Sequence, residues 1–229
     1  MSPRRAGILV PPENPTVEPE MVQLIGSRVP VHTARLPLTV GADLRERLDG
    51  YRAGLEPTLD RFGDLSLSAI LIACTGAFYG IGPDADERLC HRLSERQGIP
   101  VRSATRVILE ALGGHDSRRL LIVSPYPSWL TQAAAAYWTA AGLEVVRTVE
   151  ISEGRPIYSI GAEDVHVRLA RVARAADDVD TILVSGTGVP TVAAIQTLAP
   201  QVAPIVLSSN LCGGLWLMGA ERTEVGGRA

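Results

Sequence analysis

The sequence predicts an α/β protein with two pseudo-symmetric, doubly wound halves. Each half is a mainly parallel four-stranded sheet flanked by helices, and a cleft lies between the two. Three observations carry this reading. Short, nearly continuous apolar runs alternate with segments of helical periodicity, the pattern of parallel strands covered on both faces by helices. The stretch Ile70-Leu-Ile-Ala-Cys-Thr-Gly76 returns 112 residues later as Ile182-Leu-Val-Ser-Gly-Thr-Gly188. The repeat also extends outward: Leu9-Val-Pro-Pro-Glu-Asn-Pro15 corresponds roughly to Ile122-Val-Ser-Pro-Tyr-Pro-Ser128, and Ile99-Pro-Val101 to Ala203-Pro-Ile205.

In chain order, residues 6–10 form the first apolar run, ending in the proline-containing turn Pro11–Asn14. A second run covers 69–74. Residues 84–97 begin with acids and stop at Gly98, as the helix dipole and a C-terminal glycine favour. A strand is predicted over 119–124. The next helix, 128–141, has Ser128 as N-cap and Gly142 just past its end. Strand 143–149 follows, then an amphipathic helix over 163–176 with Val165, Leu169, Val172 and Ala176 near one face. Strands over 181–185 and 203–208 complete the pattern. The first half is expected to span 1–115 and the second 116–229, with Gly113-Gly-His-Asp116 as the crossing. The last helix is expected to return to the first half, and the chain after about 220 to fray.

Bulk properties narrow the function. The chain has 229 residues, 46% apolar and 21% charged, with a formal net charge of −3. That balance is globular and offers no basic stripe for nucleic acid. No apolar run approaches the ~18 residues of a membrane span. Pro11, Pro12, Glu13 and Asn14 interrupt any signal-peptide core, so a cytoplasmic protein is expected. Cys74, Cys90 and Cys212 are too few and too widely spaced for a disulfide framework or zinc site. The four histidines form no metal-ligand pattern. All 22 basic side chains are arginine, which excludes a lysine Schiff base and a Walker-type lysine. Neither a metal nor a cofactor is expected.

In open parallel sheets ligands bind beyond the carboxyl ends of the strands. Four such ends are candidates: Pro11–Asn14, Cys74–Gly76, Ser124–Tyr126 and Gly186–Gly188. Cys74, Thr75 and Gly76 offer a thiol, a hydroxyl and successive backbone N–H groups. A helix starting there would favour an anion and lower the thiol pKa. Thr187 and Gly188 repeat the donors from the other half, which suits a carboxylate developing into an enediolate. The plainer alternative for Cys74 is an inert buried cysteine, which the repeat argues against. Asn14 offers a donor, although an Asx turn competes for it. Tyr126 offers a hydroxyl or serves as an amphipathic rim residue. Arg155, in the loop Ser152-Glu-Gly-Arg-Pro156, is either a clamp for a second carboxylate or a solvated arginine. Cys90 and Cys212 read as packing, and Trp129, Trp138 and Trp216 as core or lid anchors.

These pieces resemble the aspartate/glutamate racemase superfamily, in its branch of maleate cis–trans isomerases and arylmalonate decarboxylases. The matching stretches are Gly7-Ile-Leu-Val-Pro-Pro-Glu-Asn14 with Glu18-Pro-Glu20, Ala73-Cys-Thr-Gly76, Ser124-Pro-Tyr126, Leu183-Val-Ser-Gly-Thr-Gly188 and Ser208-Ser-Asn210. Together they cover residues 6 to 220. The resemblance implies cofactor-free chemistry next to a carboxylate, with Cys74 as catalytic thiol and Asn14, Thr75, Tyr126, Thr187 and Gly188 on carboxylate oxygens. Gly186 departs from the pattern, because racemases and maleate isomerases of this superfamily place a second cysteine there. An unactivated hydroxyl such as Ser185 or Thr187 is too weak a base to replace it, so two-thiol racemisation is disfavoured. An isomerase acting by thiolate addition is the leading expectation. A decarboxylase with Cys74 protonating an enediolate is the runner-up, and a carboxylate-binding accessory protein comes third. The expected partner is a small carboxylic or dicarboxylic acid, with neither nucleic acid nor membrane, and a homo-oligomer is left open.

Overall fold

The structure is a computed structural model that describes residues 5–219. The strands are β1 (Ala6–Val10), β2 (Val31–Arg35), β3 (Ala69–Ile72), β4 (Val101–Ser103), β5 (Arg119–Ser124), β6 (Glu144–Glu150), β7 (Thr181–Val184) and β8 (Ile205–Ser208). They form two four-stranded sheets of equivalent order, β2-β1-β3-β4 and β6-β5-β7-β8. Every strand pairing is parallel. The central strands are apolar because both their faces are covered: β1, β3 and β7 are buried along their whole length, and β5 after its first residue.

All six predicted strand runs are strands, several of them trimmed at one end. Two more, β2 and β4, are edge strands. The helices are α1 (Val17–Ile25), α2 (Leu44–Ala53), α3 (Leu55–Leu59), α4 (Gly76–Tyr79), α5 (Pro83–Gln97), α6 (Ala104–Gly114), α7 (Ser128–Ala140), α8 (Ala162–Ala173), α9 (Val192–Leu198) and α10 (Ser209–Leu217). Helix α5 opens on a proline and two early acids and closes on left-handed Gly98, as its sequence predicts. Helix α7 corrects the expected cap: Pro127 is the N-cap and Ser128 the first helical residue. Helix α8 stops at Ala173, short of the expected 176.

The strand order places the site. In each sheet the winding direction switches between the two central strands, which opens a crevice at their carboxyl ends. Those ends are β1 and β3 in the first sheet, β5 and β7 in the second. Buried polar contacts clasp the two sheets' layers together. The Asp86 carboxylate, on α5, accepts from Ser103, Thr105 and, at 2.7 Å, the hydroxyl of Tyr137 on α7. Glu20, on α1, accepts from the backbone N–H groups of Thr191 and Val192 at the start of α9 and from the Asn210 amide.

Helix α10 packs on α1, α6 and β3 of the first sheet's layer. Gly213 and Gly214 permit that approach. A β-carbon on Gly213 would lie 2.6 Å from Leu71 Cδ2, and one on Gly214 2.7 Å from Leu24 Cδ1. Among the described residues no helix is long and apolar enough to cross a membrane. The stretch expected to fray, after about 220, lies outside the described residues.

Candidate active site

A cavity of about 450 Å³ opens where the four central strand ends converge. Asn14 reaches it from the turn after β1, Cys74 and Gly76 from the end of β3, Tyr126 from the end of β5, and Thr187 and Gly188 from the end of β7. One wall is a helical stripe, Leu44, Arg47, Leu48 and Tyr51 of α2. The segment after β6 adds Ser152, Arg155, Ile157 and Tyr158.

Cys74 is 5% exposed. The backbone N–H groups of Ala77 and Gly76, in the first turn of α4, donate to its sulfur, and Arg52 adds positive charge. Desolvation outweighs all three, so the thiol is pushed up to about 11. This corrects the sequence expectation of a lowered pKa. The N–H groups predicted there are present, but burial disfavours the thiolate by more than they favour it.

Asn14 makes the turn contacts that the sequence offered as its plainer reading, and its amide bonds across the cleft. Its side-chain oxygen accepts from the backbone N–H groups of Thr16 and Val17, at 2.9 and 3.2 Å, and so organises the turn into α1. Its amide donates to Thr187 Oγ1 across the cleft at 3.1 Å. Thr187 in turn donates to the Ala73 carbonyl at 2.9 Å. Thr16 donates to the Gly188 carbonyl at 3.0 Å. These bonds fasten the strand end of β7 to those of β1 and β3.

Two predicted site residues support the wall from behind it. Thr75 is fully buried, and its hydroxyl pairs with the Tyr126 hydroxyl at 2.9 Å. Gly186, at φ +90°, is covered by Pro125 and Tyr126. Neither lines the cavity. Ser185 is likewise withdrawn, paired with Tyr79 at 2.7 Å. Arg155 does line the cavity, but its Nη1 is committed to Asp164 at 3.0 Å.

Sequence reasoning missed Arg47, Tyr51 and Tyr158 in the lining, and the Glu20–Asn210 pair behind it. Burial pushes Tyr51 up to about 12 and raises Tyr158 further. The spacing of Leu44, Arg47, Leu48 and Tyr51, one face of a helix over two turns, was the available signal for α2. The Asn210 amide bonds both Glu20 and the Thr187 carbonyl, so it carries the α1–α9 clasp into the site. Among the described residues no group of three or more His, Cys, Asp or Glu side chains is arranged to hold a metal ion.

The model of the arylmalonate decarboxylase family matches residues 6–226. The chain belongs to the arylmalonate decarboxylase family. Within that family the resemblance drawn from the motifs holds, and the similar proteins include isomerases. A maleate isomerase from Nocardia farcinica is 27% identical over 227 residues, which is 93% of this chain and 88% of that one. Among solved structures, a cysteine-to-serine mutant of the Nocardia farcinica maleate cis–trans isomerase carries a covalently bound succinylcysteine intermediate. It is similar at 26% identity and a TM-score of 0.81, covering 94% of this chain and 93% of that one. A crystal structure of arylmalonate decarboxylase shares the fold, with a TM-score of 0.75 at 19% identity over 94% and 93% of the two chains.

Proposed function

We propose that this member of the arylmalonate decarboxylase family is a cofactor-independent cis–trans isomerase of maleate or a closely similar cis-enedioate, acting through Cys74. The observation that carries the proposal is one thiol on the floor of the interlayer cavity, under two backbone N–H groups. The succinylcysteine in the Nocardia farcinica relative gives that thiol a chemical precedent.

The Cys74 thiol loses its proton to solvent, and the thiolate adds to one alkene carbon. A C–S bond forms, and the π electrons move into the carboxylate on the neighbouring carbon as an enediolate. The former double bond is now single and rotates. Elimination breaks the C–S bond, restores the double bond in the trans form and regenerates the thiolate. No other atom is transferred, so one nucleophile suffices. In this proposal Asn14 and Tyr126 hold carboxylate oxygens, with Thr75 positioning the Tyr126 hydroxyl and Thr187, whose own proton goes to the Ala73 carbonyl, orienting the Asn14 amide. A cytoplasmic setting and a small dicarboxylate as partner belong to the same proposal.

One observation favours a second reading. A thiol raised to about 11 stays protonated at neutral pH, as a proton donor to an enediolate must. That would make the protein a malonate-type decarboxylase. Proton NMR in deuterated buffer, with maleate and a set of substituted malonates, separates the two. Fumarate from maleate supports the isomerase. A deuterated monoacid from a malonate, with maleate untouched, overturns it.

A further inference from the structure

We propose that Arg47, on the cavity face of α2, holds the second carboxylate of the substrate, the part that the sequence assigns to Arg155. The choice of a diacid rests on the isomerase reading, while the site itself rests on the geometry. Arg47 lines the cavity that holds Cys74. Glu13 accepts from its Nη1 alone, at 2.9 Å. Its Nε–H is buried and has no hydrogen-bond partner. A buried cationic donor without an acceptor is costly and calls for a partner. That Nε–H is closed off by protein atoms as the side chain stands, so a carboxylate pairs with the planar Nε–Nη2 edge in bidentate fashion once the guanidinium turns to uncover it.

The surroundings support this assignment. Arg47 acts electrostatically on Tyr51 and Tyr158, and both of those also feel Cys74, so the four groups share one field. Helix α2 is anchored near both of its ends. Arg45 stacks over the Trp129 ring of α7 at 4.3 Å, and Arg52 Nη1 donates to the Ala77 carbonyl at 2.6 Å. The Arg47 backbone is thereby fixed over the cavity. Glu13 does not cancel the site, since its side chain is 51% exposed and takes one Nη1 hydrogen only. Arg155 is the weaker candidate because Asp164 and the Ser152 carbonyl already occupy it.

The test is isothermal titration of the full chain with succinate and with propanoate, which lacks the second carboxylate. It is run on the unaltered protein, Arg47→Gln, Arg47→Lys and Arg155→Gln. The unaltered protein is expected to prefer succinate at least tenfold. Arg47→Gln should lose that preference while still binding propanoate, which also reports a folded site. Arg47→Lys should keep part of it, and Arg155→Gln all of it. Three results would each overturn the assignment: no preference in the unaltered protein, a preference that survives Arg47→Gln, or one lost in Arg155→Gln. Maleate turnover on the same preparations separates the two ideas. Preference through Arg47 without turnover removes the isomerase reading and leaves this site standing.

Discussion

The phenolic oxygen of Tyr126 stands 3.2 Å from where a β-carbon on Gly186 would lie, and Pro125 Cγ stands 2.9 Å from the same point. Gly186 is the counterpart of Cys74 in the internal repeat. The strand end of β5 therefore fills the space in which a side chain on β7's turn would project. The backbone there, at φ +90°, is one that only glycine adopts without strain.

A cysteine introduced at 186 should therefore not act as a simple second thiol. Gly186→Cys should cost about 1–3 kcal/mol through backbone strain and crowding, read as a lower urea midpoint. Adding Pro125→Ala should recover part of the loss. An unchanged midpoint in the single variant would mean that this turn relaxes freely and that the crowding argument is wrong.

Cys74 should titrate late. With its thiol at about 11, against an ordinary value near 9, alkylation by iodoacetamide should keep rising about tenfold per pH unit between pH 8 and 10. The signal is the difference from Cys74→Ala. A plateau below pH 9 would contradict the burial argument. Isomerase activity should climb over the same range, whereas a decarboxylase using the protonated thiol should stay level and fall only above it. Between those two pKa values the folded protein binds more protons than the unfolded chain, so stability should fall as pH rises through that window.

Glu20 joins the two layers of the fold behind the site. Burial raises its pKa despite four hydrogen bonds, from Val192, Asn210 and two groups of Thr191. Glu20→Ala would strand those donors in the interior and should cost about 3 kcal/mol or more in urea unfolding. A change under about 1 kcal/mol would show that water satisfies the site and that the clasp is unimportant.

Asn14 has separable halves. Asn14→Asp keeps the oxygen that Thr16 and Val17 donate to, and loses the amide that reaches Thr187. Thermal stability should stay within a few degrees of the unaltered protein while succinate binding weakens at least tenfold, because a donor has become an anion. Asn14→Ala should lose both stability and binding. Equal melting losses in the two variants would count against this division of labour.

Much of this was legible because the central strands are buried on both faces. Residues 6–10 and 120–123 are uninterrupted apolar runs, and the structure has strands over both. Strand β2, Val31-His-Thr-Ala-Arg35, was not legible: as a half-exposed edge strand it carries His32 and Thr33 and has no apolar run. Strand β4 has only three residues and left just the Ile99-Pro-Val101 echo of the second half. The strand-end residues of the site follow from the repeat and the rule that ligands sit beyond strand ends. What escaped depends on tertiary placement. Arg47 sits on a charged helix between two turns, and nothing local shows that it faces the cleft. The direction of the Cys74 shift depends on how deeply the fold buries the sulfur, whereas the N–H donors opposing that shift are already implied by Cys-Thr-Gly. Arg155 does line the cavity, and what its sequence could not show is that Asp164, nine residues on, takes its Nη1.

The most direct test of the central claim is the conversion of maleate to fumarate, followed by proton NMR, with the unaltered protein and Cys74→Ala side by side. The account predicts fumarate from the unaltered protein and none from the variant, with both proteins still binding succinate. Fumarate formation that survives Cys74→Ala would contradict it, and so would an unaltered protein that binds succinate yet leaves maleate unchanged.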